Sequence, residues 1–420
     1  MKTKVNNAFE NAKKQIQWAC MIYEDCSEDK NEYELIIHPK RILEVNIPVK
    51  MDNWSVKVFT WFRSQHNDAR WPFKWWIRFH PEVNRDEVQA LSVWMTLKCA
   101  VIDIPLGGGK WGIIVDPKEL SETELERLAR GYVRSLYKYI GPWVDVPAPD
   151  VNTNPKIMGW MMDEYSNLVW IYSPGSFTWK PLSAWGSAGR WTATAQGWVY
   201  VIEEILKLEK DSLQWKTIAI QWAGNAGLTM AWFMEDLWAN VIAISDSKWW
   251  IYNKKWVDLE KIKKLKQDWK SVTDYSEKKE NLDWWKLLEI KADILIPAAL
   301  ENVITSENAE NIKAKYILEL ANGPVTPDWD EILKKLDITV IPDILANAWG
   351  VMVSYFEQVQ NDQNFYWEAD YIDQQLKKKI TLAAKDVHET HKKYRSTLRE
   401  AAYIVSMKRV FAAMKARGEV

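Results

Sequence analysis

Three lysines in the first half of the chain lie in sequence contexts that favour chemistry over solvation. Lys74 lies among aromatic and basic residues, Lys98 ends a predicted helix, and Lys110 directly follows three consecutive glycines. Lysine side chains are mostly solvated at the surface, but apolar segments flank Lys110 on both sides and predict that it is buried. A partly desolvated ammonium near other cations has a lowered pKa, so Lys110 could act as a base near neutral pH.

A carboxylate that could exchange protons with Lys110 ends the sequence D-V-P-A-P-D at Asp150. Two prolines stiffen the backbone before Asp150 and restrict where its carboxyl group can lie. The glycines at 107–109 let the backbone approach a ligand or another chain segment closely, and the apolar runs at 101–104 and 113–115 predict buried strands. We therefore interpret Lys110 and Asp150 as a proton-transfer pair.

A second constellation predicts a phosphate-binding turn. The sequence W-A-G-N-A-G at 222–227 follows a β-branched strand and precedes a predicted helix, as in a dinucleotide-binding turn whose first glycine is replaced by Trp222. Asp246 ends the next strand about 20 residues further on, where a carboxylate can bind ribose hydroxyls. Ser247 and Lys248 beside it could accept a 2′-phosphate, so the sequence leaves both NAD and NADP open.

The elements that must position these residues follow from periodicity. Alternating residues at 43–49 and 56–60 predict a β-hairpin. Helices are predicted at 85–99 and 122–139, the second beginning with the capping signature S-E-T-E at 121–124. Beyond about residue 187, short strands at 217–220, 241–244, 293–296 and 338–341 alternate with helices, which is typical of a doubly wound parallel sheet. The segment from about 370 onwards is charged and helical.

Composition limits the class of protein. The chain has 420 residues and a formal net charge of -2, which predicts two domains around a cleft and excludes a basic surface for nucleic acid or a membrane. Its N-terminus is polar and its apolar runs are short, so we expect neither export nor membrane insertion. The 3 cysteines lack metal spacing and predict no disulfide, which favours a reducing cytoplasm. His388 and His391 do not form H-E-x-x-H, so we expect no metal site.

Five motifs carry a resemblance to a known family. They are R-W-P-F-K-W-W-I-R-F-H-P at 70–81, W-M-T-L-K at 94–98, P-L-G-G-G-K-W-G at 105–112, D-V-P-A-P-D-V-N-T at 145–153, and T-W-K-P-L-S-A-W-G-S-A-G-R-W-T-A-T at 178–194. In this order and spacing they resemble glutamate dehydrogenases, and further matches at 341–348 and 351–357 extend the resemblance from about residue 40 to 417. Leucine, phenylalanine and valine dehydrogenases share the fold and the glycine–lysine loop.

The resemblance implies oxidative deamination of L-glutamate to 2-oxoglutarate and ammonia, or the reverse, with NAD or NADP. It places Lys74 and Ser354 at the distal carboxylate and Lys98 at the α-carboxylate. It assigns water activation to Lys110 and proton transfer with the amino nitrogen to Asp150. The pair of Lys74 and Ser354 favours glutamate over the apolar substrates of the related enzymes, which stay as an alternative. Further substrate contacts implied by the resemblance are Val351 and Trp75.

The resemblance also implies a Rossmann-type domain, and the cofactor contacts it implies are Thr194, Trp222, Gly224, Asn225, Gly227, Asp246, Ala298, Asn322 and Asn347. We expect a substrate-binding and oligomerisation domain at 1–185, the dinucleotide-binding domain at 186–345, and C-terminal helices at 346–420 that return to the first domain. The fold class is α/β, and the resemblance implies a cytoplasmic homo-hexamer.

The tryptophan content is abnormal. Tryptophan occurs 28 times and glycine 16 times, although glycine makes up about 7% of an average chain. Eleven tryptophans stand where the family has glycine, namely Trp61, Trp71, Trp75, Trp76, Trp111, Trp179, Trp185, Trp222, Trp249, Trp250 and Trp349. We hypothesise that a codon translated as glycine in the source organism is written here as tryptophan. If the tryptophans are real, the alternative is a catalytically inactive structural or regulatory homologue.

Overall fold

The computed structural model describes residues 8–23, 26, 31–188, 190–246, 250–268, 270–275, 284–299, 301–326 and 329–419. The chain forms two compact units. The first unit contains Met1–Arg190, Gly350–Gln375 and Tyr403–Val420, and the second contains Trp191–Trp349 and Leu376–Ala402.

The first unit is built on a five-stranded mixed sheet. Its elements before the crossing to the second unit are α1 (Ala8–Ile22), α2 (Asn31–Ile37), β1 (Arg41–Lys50), β2 (Val56–Asn67), β3 (Phe73–His80), α3 (Arg85–Val101), β4 (Gly107–Ile114), α4 (Glu122–Leu136), β5 (Asp145–Pro149) and α5 (Pro155–Val169). The strand order is β1-β2-β4-β3-β5. β1 and β2 form the predicted antiparallel hairpin, with Arg41 opposite Gln65 and Lys50 opposite Val56, whereas β3 runs parallel to both β4 and β5.

Alternation along the strands gives this sheet two buried faces. One face carries Trp61, Ile77 and Trp111, which pack in one apolar cluster with Leu128 of α4 and Met158 of α5. The opposite face receives α3. The capping signature before α4 is confirmed, because the Ser121 hydroxyl accepts from the Glu124 N–H and the Glu124 carboxylate accepts from the Ser121 N–H.

The second unit is built on a six-stranded sheet. Its elements are α6 (Arg190–Leu208), β6 (Thr217–Gln221), α7 (Asn225–Asp236), β7 (Asn240–Ser245), β8 (Trp250–Tyr252), α8 (Leu259–Gln267), β9 (Ile294–Pro297), β10 (Tyr316–Leu318), α9 (Asp330–Lys335), β11 (Thr339–Ile341) and α10 (Asp343–Ala346). The strand order is β11-β10-β9-β6-β7-β8, and all pairs are parallel except β7 with β8. The predicted doubly wound sheet is confirmed, and the strand order reverses between β6 and β9.

Three long C-terminal helices, α11 (Trp349–Gln363), α12 (Ala369–Tyr394) and α13 (Leu398–Ala416), follow the second sheet. We expected all of residues 346–420 to return to the first domain. The segment Leu376–Ala402 belongs instead to the second unit. The physical reason is a buried ion-pair cluster in which Arg399 contacts Glu319, Asp330 and Asp343. The first crossing also falls later than residue 185, at Arg190.

Two local predictions are wrong. The apolar run 101–104 is not a strand, because α3 continues to Val101 and the chain then turns with Asp103 at φ 54°. Cys20 and Cys26 form a disulfide, since the chain turns back after α1 and brings their Cα atoms to 4.8 Å. The cysteine pattern therefore does not favour a reducing compartment. None of the helices in the described part of the chain combines the length and apolar character needed to cross a membrane.

Tryptophan dominates the left-handed backbone positions. Among the described residues, fifteen non-glycine residues have positive φ, and eight of them are tryptophan; only three glycines have positive φ. The tryptophans are Trp54, Trp71, Trp170, Trp179, Trp185, Trp215, Trp222 and Trp238. The left-handed region is costly for a residue with a Cβ atom and is normally occupied by glycine. Bulky aromatic residues are therefore concentrated where the backbone favours glycine.

Trp170 offers a direct test of this cost. It ends α5 in the left-handed conformation with φ 58° and ψ 23°, and its side chain is 92% exposed. We expect Trp170→Gly to raise the free energy of unfolding by about 1 kcal/mol, because glycine removes the Cβ strain and little packing is lost. The measurement is urea-induced unfolding.

Trp160, in the middle of the same helix, is the matched control. Trp160→Gly should lower the free energy of unfolding by at least about 1 kcal/mol, because glycine is unfavourable inside a helix. A loss of stability in Trp170→Gly as large as that in Trp160→Gly would contradict the interpretation of the left-handed tryptophans.

Candidate active site

The three glycines before Lys110 allow close packing within the first unit. A Cβ atom at Gly108 would lie 2.1 Å from the Thr96 hydroxyl oxygen of α3, and one at Gly109 would lie 2.3 Å from a terminal nitrogen of Arg63. The close approach that the glycines permit is therefore to α3 and to β2. This packing fixes β4 and with it the position of Lys110.

Lys110 and Asp150 are in direct contact. The Lys110 ammonium donates to Oδ2 of Asp150, and the side chains are 3% and 9% exposed. Burial lowers the pKa of Lys110 to about 8, although the Asp150 charge opposes this shift. Burial raises the pKa of Asp150, but the Lys110 and Arg78 cations outweigh it and hold that pKa below its ordinary value. The pair can therefore release a proton from the amine near neutral pH while the carboxylate stays ionised.

The backbone around Asp150 is anchored to β3. The Asp150 N–H donates to the Thr153 hydroxyl at 2.7 Å, and that hydroxyl in turn donates to the Ile77 carbonyl oxygen at 2.9 Å. Arg78, the next residue of β3, donates through Nε to Oδ2 of Asp150 at 3.0 Å. The carboxylate is thus held from two sides, by β3 and by the Lys110 ammonium of β4.

Lys74 lies in a second buried polar group. Its ammonium donates to the Val146 carbonyl oxygen at 2.9 Å and to the Thr178 hydroxyl at 2.6 Å, and the Thr178 and Ser354 hydroxyl oxygens lie 2.6 Å apart. Burial lowers the pKa of Lys74 to about 7, against the attraction of Glu357. The predicted neighbours Lys74 and Ser354 therefore meet through Thr178.

Thr178 is a residue that the sequence reasoning missed. The signal was present, because Thr178 begins the T-W-K-P motif that carries part of the resemblance. Its hydroxyl bridges the ammonium of β3 and the serine of α11, so a carboxylate bound here would meet one cation and two hydroxyl groups.

The loop that carries Thr178 is clamped to α11. Glu357 accepts from the Lys180 ammonium at 2.6 Å and from the Trp179 N–H at 2.7 Å, and the Lys180 and Glu357 side chains are 0% and 2% exposed. Ser354 and Glu357 are three residues apart in the helix, so they share one face. The clamp keeps Thr178 against Ser354.

The remaining substrate candidates are placed as follows. Lys98 is buried in the last turn of α3, and Val351 is buried in α11 one turn before Ser354. Burial raises the pKa of the Cys99 thiol to about 12, while the charges of Lys74 and Lys98 act to lower it. The side chain of Trp75 lies outside the described residues.

In the second unit the glycine-containing turn follows β6 at the point where the strand order reverses. The Trp222 N–H donates to the Ser245 hydroxyl at 2.9 Å, which ties the turn to the end of β7. A Cβ atom at Gly227 would lie 2.1 Å from the Trp222 carbonyl oxygen, and one at Gly224 would lie 2.6 Å from the Trp222 indole nitrogen. The turn has the tight backbone of a dinucleotide-binding turn, but Trp222 has φ 87° and its indole lies against Gly224.

Other predicted cofactor residues gather at the carboxyl ends of the parallel strands. The Ala298 N–H after β9 donates to the Gln221 carbonyl oxygen at 3.2 Å, and the Asn347 amide donates to Oδ1 of Asn322 at 3.3 Å. Asp246 follows β7 and accepts from the Ser271 hydroxyl at 2.8 Å. Ligands of doubly wound sheets bind at such an edge. The side chains of Thr194 and Asn225 and residues 247–249 lie outside the described residues.

These two arrangements define a class of protein. A parallel sheet with a glycine-containing turn at its reversal point suits a dinucleotide, and a buried lysine–carboxylate pair beside a second buried lysine suits proton transfer on an anionic substrate. The class is that of two-unit α/β dehydrogenases. The chain belongs to the glutamate/leucine/phenylalanine/valine dehydrogenase family, whose models match residues 186–418 and, as the dimerisation domain, residues 39–167.

Individual relatives are similar over most of their length. The chain is 49% identical over 389 residues to the catabolic NAD-specific glutamate dehydrogenase of Bacillus subtilis (strain 168), covering 92% of this chain and 91% of the relative. It is 45% identical over 390 residues to the NAD-specific glutamate dehydrogenase of Staphylococcus aureus (strain COL), covering 93% and 94%. The solved glutamate dehydrogenase of Peptoniphilus asaccharolyticus matches with a TM-score of 0.87 and 41% identity, covering 99% and 100%.

The buried clamp on the Thr178 loop generates a stability prediction. We expect Lys180→Met to lower the free energy of unfolding by about 3–5 kcal/mol, because it leaves the Glu357 charge buried without its cation. Adding Glu357→Gln should recover much of this loss, because it removes the unpaired charge and keeps an acceptor for the Trp179 N–H. The measurement is urea-induced unfolding of both variants.

Lys156→Met is the matched control, because Lys156 pairs with Glu122 at the surface, where the side chains are 57% and 69% exposed. It should change stability by less than about 1 kcal/mol. An equally small change for Lys180→Met would show that the clamp does not hold the loop.

Proposed function

We propose that the chain is an NAD-dependent glutamate dehydrogenase, which interconverts L-glutamate with 2-oxoglutarate and ammonia. The observation that carries the proposal is the buried group of Lys74, Thr178 and Ser354. A cation with two hydroxyl groups suits the second carboxylate of a dicarboxylic amino acid, whereas the apolar side chains of leucine, phenylalanine or valine offer such a group no partner. The names of the two bacterial relatives described above agree with this substrate and with NAD.

Each residue has a role that its chemistry supports. Bound at the second sheet, NAD would supply the acceptor for the hydride that leaves the α-carbon of glutamate. Lys110, in its neutral form, takes a proton from the water that adds to the resulting iminium carbon, and Asp150 exchanges protons with the departing amino nitrogen. Lys98 binds the α-carboxylate, and Val351 and Trp75 line the substrate site. In the reverse direction the same groups return these protons.

The cofactor is placed at the carboxyl ends of the second sheet. In this proposal the turn at 222–227 would hold the pyrophosphate, Asp246 would hold the ribose hydroxyls, and the rest of the dinucleotide would be held by Thr194, Ala298, Asn322 and Asn347. Asp246 favours a free 2′-hydroxyl and therefore NAD over NADP. Assembly into a homo-hexamer is proposed from the dimerisation-domain match and from the solved Thermus thermophilus relative, described as hetero-hexameric, which is 29% identical with a TM-score of 0.90. A cytoplasmic location stays a prediction.

A second candidate function rests on Trp222. Its indole lies against Gly224 in the turn, where it would meet a pyrophosphate, so a chain that keeps tryptophan at this position is a catalytically inactive structural or regulatory homologue. The two candidates differ in a single measurable property, which is cofactor reduction.

The test compares two forms of the chain, the printed one and one with glycine at the eleven positions named above. Each form is assayed for cofactor reduction with glutamate, leucine, phenylalanine and valine, using NAD and NADP in turn. We expect one form to reduce NAD with glutamate, with a kcat/KM roughly a thousandfold above that for leucine, because an apolar side chain leaves the buried polar groups unpaired. Reduction with leucine but not glutamate would indicate a leucine, phenylalanine or valine dehydrogenase. If neither form reduced the cofactor, the chain would be a catalytically inactive homologue.

The active form is then the parent for Lys110→Ala. Turnover should fall by about 10³-fold, while NAD binding measured by fluorescence stays unchanged because Lys110 lies in the other unit. In the parent, kcat/KM should rise with pH through about 8, since the base is the neutral amine whose pKa is lowered to that value. Lys118→Ala, at an exposed position near the end of the same strand, should keep full turnover. Unchanged turnover in Lys110→Ala would remove Lys110 from the chemistry.

A further inference from the structure

Four charged side chains of alternating sign form one row in the first unit. Glu87 in the first turn of α3 pairs with Arg78 of β3, Arg78 pairs with Asp150, and Asp150 pairs with Lys110 of β4. The exposed fractions fall from 25% at Glu87 to 3% at Lys110. The row therefore begins near the surface and ends at the buried amine.

Arg78 is the second cation of this row that contacts Asp150. Both Arg78 and Lys110 donate to the same carboxylate oxygen, Oδ2, and Glu87 accepts from a terminal nitrogen of Arg78. The guanidinium is a rigid planar donor, so bonds at two of its nitrogens fix its plane. A carboxylate held at one oxygen by such a donor cannot rotate away from the amine without breaking that bond.

We propose that Arg78, held by Glu87, is a positioning residue that orients the Asp150 carboxylate towards Lys110 and sets the pH range in which the pair works. The inference rests on the proposed roles of Lys110 and Asp150. Among the described residues, the charged groups that face the pair are Arg78 from β3 and Glu87 from α3; Thr153 faces it as a neutral hydroxyl.

The sign of the pH effect follows from these charges. The Arg78 cation disfavours the ammonium form and lowers the pKa of Lys110, whereas the Glu87 anion favours that form and raises it. Removing the Arg78 charge should therefore move the acid limb of the kcat/KM profile to higher pH, and removing the Glu87 charge should move it to lower pH. Damage to the fold alone would not produce opposite shifts.

The experiment measures kcat/KM against pH for Arg78→Met, Arg78→Lys and Glu87→Gln in the active form of the full chain. Arg78→Met should move the acid limb up by about one pH unit, the size expected for loss of a charge within roughly 6 Å, and should lower the maximal kcat about tenfold through loss of orientation. Glu87→Gln should move the limb down. Arg78→Lys should return the acid limb of the kcat/KM profile to its parental pH, because it keeps the positive charge. It should not restore the full kcat, because a single ammonium cannot reproduce the two guanidinium bonds.

Arg85→Met is the matched control, because it removes one exposed positive charge at the start of the same helix as Glu87. It should leave the profile unchanged. If Lys110→Ala abolishes turnover but the Arg78→Met and Glu87→Gln profiles superimpose on that of the parent, the positioning role is wrong and the proposed function stands. If Lys110→Ala keeps its turnover, the proposed role of Lys110 is wrong and the positioning role of Arg78 is wrong with it.

Eight of the described tryptophans have positive φ, and this backbone conformation supports a second inference. Of the eleven tryptophans that the motif comparison names as replaced glycines, Trp71, Trp179, Trp185 and Trp222 have positive φ among the described residues. The backbone adds Trp54, Trp170, Trp215 and Trp238, which that comparison did not name. Position in the motifs and backbone conformation are independent properties, and both indicate glycine at positions that carry tryptophan.

Within the described part of the chain, three of the eleven tryptophans that the motifs name lack the hydrogen bond that a buried indole normally makes. The indole nitrogens of Trp61, Trp111 and Trp250 are buried, and among the described residues no hydrogen-bond acceptor reaches them. Buried indole N–H groups usually find a partner, and one without a partner costs about 1–3 kcal/mol. The indole nitrogens of Trp198 and Trp232, which the motifs do not name, are buried without an acceptor from the described residues as well. The indole of Trp94, where the resemblance implies tryptophan, donates to the Gln15 side chain at 2.9 Å.

We infer that the protein made in its own cells carries glycine at the left-handed tryptophan positions and at the eleven positions that the motifs name. A single codon read as glycine would produce this pattern. The resemblance implies tryptophan at Trp94, Trp160 and Trp367, because the family commonly has tryptophan there, so we expect these three residues to be tryptophan in the cell.

One proteolytic peptide contains both kinds of position. Trypsin should release residues 157–190 as a single peptide, since cleavage is blocked before Pro181. This peptide carries Trp160, Trp170, Trp179 and Trp185. Tandem mass spectrometry of the protein isolated from its own cells should find tryptophan at 160 and glycine at 170, 179 and 185. The peptide of residues 86–98, with Trp94 as its one tryptophan, is the control.

Tryptophan at 170, 179 and 185 would overturn the inference. The outcome is independent of enzymatic activity, so it separates this inference from the proposed function.

Discussion

The ion pair between Lys110 and Asp150 joins two segments that are not neighbours in the sheet. Lys110 belongs to β4 and Asp150 follows β5, and β3 lies between them. Burying an ammonium costs several kcal/mol unless an opposite charge and further hydrogen bonds accompany it. The position of Asp150 beside the amine, fixed through Thr153 and Ile77, meets this requirement. The glycines before Lys110, the register of β3 and the row from Glu87 to Arg78 all serve to hold one oxygen atom of one carboxylate.

The same requirement explains the second buried amine. Lys74 precedes Arg78 by four residues in β3, so both side chains lie on the face of the sheet that receives α3. Lys74 has no carboxylate in direct contact among the described residues; it is held by the Val146 carbonyl oxygen and by Thr178. The positive charge of an ammonium group that contacts only neutral acceptors is not compensated, so the group still attracts an anion. Lys110, already paired, lacks this attraction, so the two lysines differ in role because their partners differ.

The sequence predicts the parts of this structure that depend on local pattern. Alternation predicts the hairpin of β1 and β2, the capping signature predicts the start of α4, and β-branched segments predict the parallel sheet. An apolar run such as 101–104 cannot be assigned by pattern alone, because a buried helix end and a buried strand have the same composition. The role of Thr178 depends on Ser354, which lies far along the chain, and the return of Cys26 towards Cys20 depends on a turn that no sequence pattern indicates.

Trp222 combines a backbone conformation typical of glycine with a bulky side chain. The backbone at Trp222 has the conformation that a dinucleotide-binding turn needs, although the residue printed there cannot adopt it without strain. Positive φ is favourable for glycine and unfavourable for tryptophan. The backbone conformation at position 222 therefore fits a sequence with glycine there. The backbone conformation is therefore the better guide to what position 222 can bind, and the side chain decides only whether a pyrophosphate can reach it.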